Sequence, residues 1–384
     1  MSGKTFLIDN VRVISPDYDA MGAVLVDGST IQAVYKADDA LPGNVPCIDG
    51  NGGMLMPGFI DVHCHGKGGA DFCDAAPGSL ETVAKAKVSE GVTSVFATTL
   101  TLPESDLAVT CRQAAEYAKN RTGAKVPGVH LEGPFINPKC LGAQNPDFVR
   151  EPDMDMVMRL NEIYPIKRIA FAPECKNGPE FTAALIEKQI VPSGAHTGAK
   201  FADFEAAYAK GLRHMTHFCN QMTPLHHRDI GMVGAGLLLK DTVLELICDL
   251  IHLSPAMIKL VFSSRSCDQL MLISDAMRAA GMPDGSYTLG GLPVTVKDGA
   301  ARLTDSGALA GSTLTINNAL KNVAKTTGLP LKELVKTTSF NAAREHHLEK
   351  LGKIEPGFTA DLVLLDNDFN VKQVFIDGES AFSA

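Results

Sequence analysis

Hydrophobic and polar positions follow two textures along the chain. From residue 57 to about 350, short apolar runs alternate with stretches whose apolar residues recur every three to four positions. The runs lie at 59–65, 93–98, 126–132, 168–173, 190–196, 212–217, 243–249 and 270–275. Their length and β-branched content predict buried strands. Periodic stretches at 80–89, 104–119, 154–163, 180–188, 202–210 and 255–263 predict helices between them. The last begins with Ser254 as N-cap and Pro255 at the first helical position. Eight strands alternating with helices predict an α/β chain built as a (β/α)8 TIM-like barrel. A doubly wound sheet shares that alternation, but no Gly-x-Gly-x-x-Gly follows an early strand and no Walker A loop occurs. Beyond the eighth run, 287–295 and 300–303 predict a hairpin insertion, and 313–326 and 331–343 predict two closing helices.

The second texture occupies both ends. Short apolar or β-branched runs at 5–8, 23–26 and 31–35 are divided by polar and Gly/Pro turns, and the same pattern returns at 360–365 and 372–376. Two strand-rich ends around a long middle predict a small β-sandwich domain assembled from residues 1–56 and 352–384, with the barrel spanning 57–351.

Composition narrows the setting. A chain of 384 residues, 45% hydrophobic and 21% charged, can bury one large core with material left for a small second domain. The net charge of −9 comes without a basic run, so nucleic acid is not an expected partner, and an anionic substrate needs a local positive site. Nine scattered cysteines with no Cys-x-x-Cys suit free thiols in a reducing cytoplasm. No signal-peptide pattern opens the chain, and the best membrane-span candidate, 243–253, is broken by Glu245, Asp249 and His252. The expectation is a cytoplasmic protein with no membrane partner.

The chemistry gathers at strand ends. Residues 57–66 read PGFIDVHCHG, and His63 and His65, two apart on one strand, project from the same face. The third run ends in Glu132, the fifth in His196, the sixth in His217 and the eighth in Asp275. In a (β/α)8 barrel these ends form the reactive face. One such residue is more simply a hydrogen-bonded polar group. Six on separate strands, two of them sharing the first, point to a divalent metal. Imidazole and carboxylate ligands suit Zn2+, Fe2+, Mn2+ or Co2+. An ion so held lowers the pKa of bound water, and Asp275 is placed to exchange protons there. Cys64, between the two histidines, points away from them and belongs to packing.

Five motifs then carry a resemblance: HLEGPFIN at 130–137, GAHTGA at 194–199, THFCNQMTPLHHR at 216–228, SDAM at 274–277 and LAGSTLT at 309–315. With GKIEPGFTADLVLLD at 352–366, the chain resembles the N-acetylglucosamine-6-phosphate deacetylases of the amidohydrolase superfamily over nearly its whole length. The resemblance implies removal of acetyl from N-acetylglucosamine 6-phosphate by metal-activated water. Glu132, His196 and His217 would hold the catalytic ion, most readily Zn2+, and Asp275 would be the general acid/base. Asn220, the Gln221 backbone, His252 and Leu309, Ala310 and Gly311 would bind the amino sugar phosphate. Arg228 would reach the phosphate of the neighbouring subunit in a homodimer. Some members lack His-x-His on the first strand; this chain keeps His63 and His65, so one or two ions are expected. Two positions depart from the family. Gln221 stands where alanine is usual, and Gln144, after Ala143, stands where some members carry a substrate-contacting histidine.

The alternatives are an N-acetylgalactosamine-6-phosphate deacetylase, a cyclic-amide hydrolase and a relative without activity. A cyclic-amide hydrolase normally uses a carboxylated lysine at the fourth strand's end, where this chain reads RIAFAPE with Lys176 only later. The six intact ligand-type residues oppose an inactive relative.

Overall fold

The computed structural model describes residues 4–384. Eight parallel strands pair in chain order: Phe59–Cys64, Val92–Thr98, Val129–Glu132, Ile166–Phe171, Val191–Gly194, His214–Met215, Val243–Leu246 and Leu270–Leu272. The sheet closes where the Asp275 amide donates to the His63 carbonyl (2.9 Å) and the His65 amide to the Ala276 carbonyl (2.8 Å). The result is the expected barrel. Every residue of Val92–Thr98 is buried, which is why the barrel strands read as continuous apolar runs. Helices Ser79–Val88, Glu104–Lys119, Met154–Ile163, Gly178–Glu187, Phe201–Tyr208, Pro255–Ser264 and Ile316–Thr327 match expected stretches. Ser254 Oγ accepts from the Met257 amide, the cap expected there. Gly231–Leu238 is an additional helix. Its sequence, GMVGAGLL, has three glycines and no polar face, so it carries no amphipathic signal.

Both ends of the chain enter one seven-stranded sheet. Its order is Glu379–Ser383, Val371–Ile376, Leu362–Leu365, Cys47–Pro57, Thr5–Ser15, Tyr18–Asp27 and Thr30–Lys36. Cys47–Pro57 sits at the centre, parallel to Thr5–Ser15 and antiparallel to Leu362–Leu365. Glycines 50, 52 and 53 hide that strand in the sequence. The sheet curls into two facing layers. Phe6 and Phe375 lie on strands three places apart, roughly 14 Å in a flat sheet, yet their rings stack at 5.4 Å. Val13, Val24, Ile31, Leu55, Leu362 and Phe375 fill the fold between the layers.

The insertion after the eighth barrel strand has three strands, Gly285–Leu289, Leu292–Lys297 and Ala300–Leu303. The run at 287–295 is therefore two strands, not one. Gly290 and Gly291, at φ 56° and 81°, turn the chain between them, the left-handed pair that a tight hairpin turn requires. This sheet packs Leu289 and Val294 on Met277, Leu100 and Ala310, forming one wall over the mouth of the barrel.

Candidate active site

The barrel strands are shorter than the apolar runs. His196 and His217 lie two residues past their strands, and Asp275 lies three past its own. Each of these leaves the ladder in the left-handed region, with φ of 43°, 33° and 47°. For a side-chain-bearing residue that conformation costs about 1–3 kcal/mol and persists only where neighbours enforce it. Here the enforcement is visible. The His196 carbonyl accepts from the Asn137 amide (3.0 Å), that of His217 from Asn220 (2.9 Å), and that of Asp275 from Ser312 (2.7 Å). These turns tip three polar side chains inward over the barrel axis.

They meet Glu132. Its Oε1 lies 3.2 Å from His196 Nε2 and 3.0 Å from His217 Nε2, and the two ring nitrogens are 3.1 Å apart. An ion bound tetrahedrally with bonds of about 2.0–2.1 Å spaces its ligands roughly 3.3–3.4 Å apart, so this triangle fits one closely. A second group adjoins it: Asp275 Oδ1 lies 3.5 Å from His63 Nε2 and 3.2 Å from His65 Nε2. Both triads have ligand atoms that converge within 4.8 Å, and all six residues are buried. Glu132 joins them, with Oε1 3.4 Å from His63 Nε2 and Oε2 3.3 Å from His65 Nε2. His63 Nε2, which faces this cluster, is buried without a hydrogen-bond partner. Buried polar atoms are normally satisfied, and a divalent ion supplies what converging lone pairs lack.

The electrostatics agree. Burial works to raise the Glu132 carboxyl, but His63, His196, His217 and His65 outweigh it and hold its pKa well below the usual range. Burial likewise opposes, and His63 and His65 overcome, in drawing the Asp275 carboxyl down. Both carboxylates are thus ionised and ready as ligands or proton acceptors. Burial instead pushes the Cys64 thiol up to about 12, in keeping with its packing role.

A cavity of about 310 Å³ opens above this cluster. Among the expected residues, His65, Glu132, Ala143, Gln144, His196, His217, Asn220, Gln221, His252, Asp275, Leu309 and Gly311 line it. Leu100, Gly142, Leu289 and Ala308 line it as well and lacked any chemical signature in the sequence. His252 is held by Asp249, Nδ1 to Oδ2 at 2.7 Å. Three expected residues stand away from the wall, and one of them, His63, is wholly buried within the cluster beneath it. Ala310 is wholly buried in the core of the insertion. Arg228 lies exposed on the loop after His217, its Nη1 2.9 Å from His227 Nε2. Gln144 does more than line the pocket: its Nε2 donates to Glu132 Oε2 (2.5 Å) and its Oε1 accepts from the Thr101 amide (2.7 Å).

Below the cluster lie groups that the strand-end reading missed. Glu245, fully buried in the seventh strand, places Oε2 3.4 Å from His63 Nδ1 and Oε1 2.7 Å from Arg168 Nη2. His130 packs its ring 4.8 Å from that of His63 and is anchored by Nδ1 on the Val62 carbonyl (3.0 Å). The signal was present: an acid and an arginine, each inside an apolar run, on two strands of one barrel.

Residues 54–381 match the amidohydrolase family. The chain is 35% identical over 379 residues to an N-acetylglucosamine-6-phosphate deacetylase of Lysinibacillus sphaericus, covering 97% of each chain. It is 36% identical over 353 residues to an N-acetylgalactosamine-6-phosphate deacetylase of Escherichia coli O157:H7, covering 91% of this chain and 92% of that one. The crystal structure of N-acetylglucosamine-6-phosphate deacetylase from Thermotoga maritima superposes with a TM-score of 0.90 at 39% identity, covering 99% of this chain and all of the other. A mutant deacetylase from Mycobacterium smegmatis, in complex with N-acetyl-D-glucosamine-6-phosphate, superposes at 0.93 with 28% identity and the same coverage.

Proposed function

The chain belongs to the amidohydrolase family, and from that premise we propose that it hydrolyses the acetamide of N-acetylglucosamine 6-phosphate to glucosamine 6-phosphate and acetate. The observation that carries the reading is the meeting of two buried ligand triads on Glu132 at the floor of a cavity sized for one sugar. Relatives above 30% identity that cover nearly the whole chain support the same reaction.

Glu132, His196 and His217 would hold the catalytic divalent ion, with Zn2+ the best match to nitrogen and oxygen ligands at this spacing. His63 and His65 with Asp275 offer a second position. When bound, such an ion polarises a carbonyl and makes water nucleophilic near neutrality. The protein's own groups do the rest. Asp275 Oδ1, ionised and facing the cluster, accepts the water's proton and returns it to the departing amine. His252, fixed by Asp249, and Asn220, fixed on the His217 carbonyl (3.1 Å), present polar atoms to the sugar. Leu100, Leu289 and Leu309 shield the opposite side from water. Arg228 is exposed on the loop after His217, in the motif whose family resemblance implies a phosphate contact across subunits. On that footing we assign this loop to a homodimer interface, across which the guanidinium clamps the partner site's phosphate. The nine free thiols suit a cytoplasmic enzyme.

The test is acetate release from a panel of N-acetyl amino sugars, with and without the 6-phosphate, using metal-loaded protein. N-Acetylglucosamine 6-phosphate should be turned over best. Preference for N-acetylgalactosamine 6-phosphate would select the second reading, which the E. coli relative supports. No release from any phosphorylated sugar would overturn both.

A further inference from the structure

We infer that Glu245 is a positioning residue that holds a proton on His63 Nδ1 and thereby presents Nε2 as the nitrogen that binds an ion. The inference rests on the reading of His63 as a ligand.

Glu245 is 0% exposed, as is His63. Its two oxygens face different neighbours: Oε1 meets Arg168 Nη2 at 2.7 Å, and Oε2 meets His63 Nδ1 at 3.4 Å. A carboxylate can only accept, so the contact with Nδ1 requires the proton on that nitrogen. Nε2 is the atom that faces Glu132 and Asp275, so once an ion occupies it, Nδ1 is the nitrogen that must carry the proton, and Glu245 is placed to accept the hydrogen bond from it. Arg168 prevents the carboxylate from turning away. Its Nη2 also donates to Ser193 Oγ (2.8 Å), while its Nη1 lies 3.3 Å from His214 Nδ1 and 3.4 Å from His346 Nε2. Three side chains from different parts of the chain thus surround the arginine, and the arginine holds Glu245. No other polar side chain approaches His63 Nδ1 within hydrogen-bond distance among the described residues.

Glu245→Gln discriminates, because an amide has one acceptor and one donor end. Arg168 claims the carbonyl oxygen, leaving the NH2 group facing His63 Nδ1. The imidazole proton is then driven to Nε2, where it opposes metal binding. In metal-free protein, 15N spectra of labelled histidine should show His63 Nδ1 protonated in the native chain and unprotonated in Glu245→Gln. Zn2+ titration followed by metal analysis should find affinity at the His63 position reduced about 10- to 100-fold. Binding at Glu132, His196 and His217 should be unchanged. Glu245 would be dismissed as a positioning residue if His63 Nδ1 were unprotonated in the native chain. Unchanged tautomer and ion affinity in the variant would dismiss it equally, and so would equal loss of both ions. The native spectrum decides even where the variant does not fold. Separately, metal content unaltered in His63→Ala would overturn the ligand reading on which the inference stands.

Discussion

Two charged clusters share the inside of this barrel, and they are built on opposite principles. The lower one contains Arg168, Glu245, His214 and His346, all buried, and its charges answer one another: Arg168 meets Glu245 at 2.7 Å, and His214 Nε2 meets Glu345 at 3.2 Å. None of these four residues has a positive φ. The upper one converges lone pairs on lone pairs and holds three of its residues at positive φ. The lower cluster sets cation against anion within the protein, whereas the upper calls for a cation from outside. Burying charge is expensive in either place, so the difference marks where the protein spends stability on chemistry rather than on shape.

The largest break in that comparison comes from removing a ligand. His196→Ala or His217→Ala should lose most bound metal and nearly all turnover, while far-ultraviolet circular dichroism remains that of the folded barrel. Full activity at unchanged metal content would remove that residue from the site. Asp275→Asn is next. An amide cannot cycle a proton, so turnover should fall roughly 10²–10⁴-fold while the ion at Glu132, His196 and His217 stays bound. Metal content falling in step with activity would make Asp275 chiefly a ligand.

A smaller effect is expected at the rim. Arg228→Ala should raise KM for the phosphorylated sugar about ten- to hundredfold, the equivalent of one charge-assisted contact of about 1.5–3 kcal/mol. Slow turnover of the unphosphorylated sugar should be barely altered. Mixing Arg228→Ala with Asp275→Asn subunits should restore one working site per heterodimer if the contact crosses the interface. No recovery, with subunit exchange confirmed, would place the arginine's action within its own chain.

The smallest effect belongs to the lower cluster. Burial opposes, but hydrogen bonds from His214 and Arg344 overcome, in drawing the Glu345 carboxyl from an ordinary 4.5 to about 2. A depressed carboxyl contributes stability that is present above its unfolded value and lost as pH falls through the folded one. The Tm advantage of the native chain over Glu345→Gln, measured without metal, should therefore be full at pH 6 and fade between about pH 4.5 and 2. A pH-independent difference would show that the pair contributes packing alone.

The barrel was legible because its strands are buried on both sides, so apolar runs and helical periodicity alternate without ambiguity. All six ligand-type residues were legible for a related reason: polar groups at the ends of apolar runs have no packing excuse. Glu245 and Arg168 escaped because each sits inside its run, where only the distance across the barrel reveals that one answers the other. Cys47–Pro57 escaped because glycines mask a strand that its neighbours stabilise. The positive φ values were also invisible, since histidine and aspartate visit the left-handed region more than most residues but far less than the glycine that would announce such a turn.

The central place of Cys47–Pro57 in the terminal sheet has a consequence for synthesis on the ribosome. That strand borders Thr5–Ser15, made early, and Leu362–Leu365, made some three hundred residues later. Until the late strand emerges, one edge of the early sheet stays open, and its Met54–Pro57 stretch has no antiparallel partner. An open strand edge is a template for mispairing, and contacts this distant in sequence form slowly. The nascent chain thus carries an exposed seam throughout translation of the barrel, and its last few dozen residues act as the stitch that closes it.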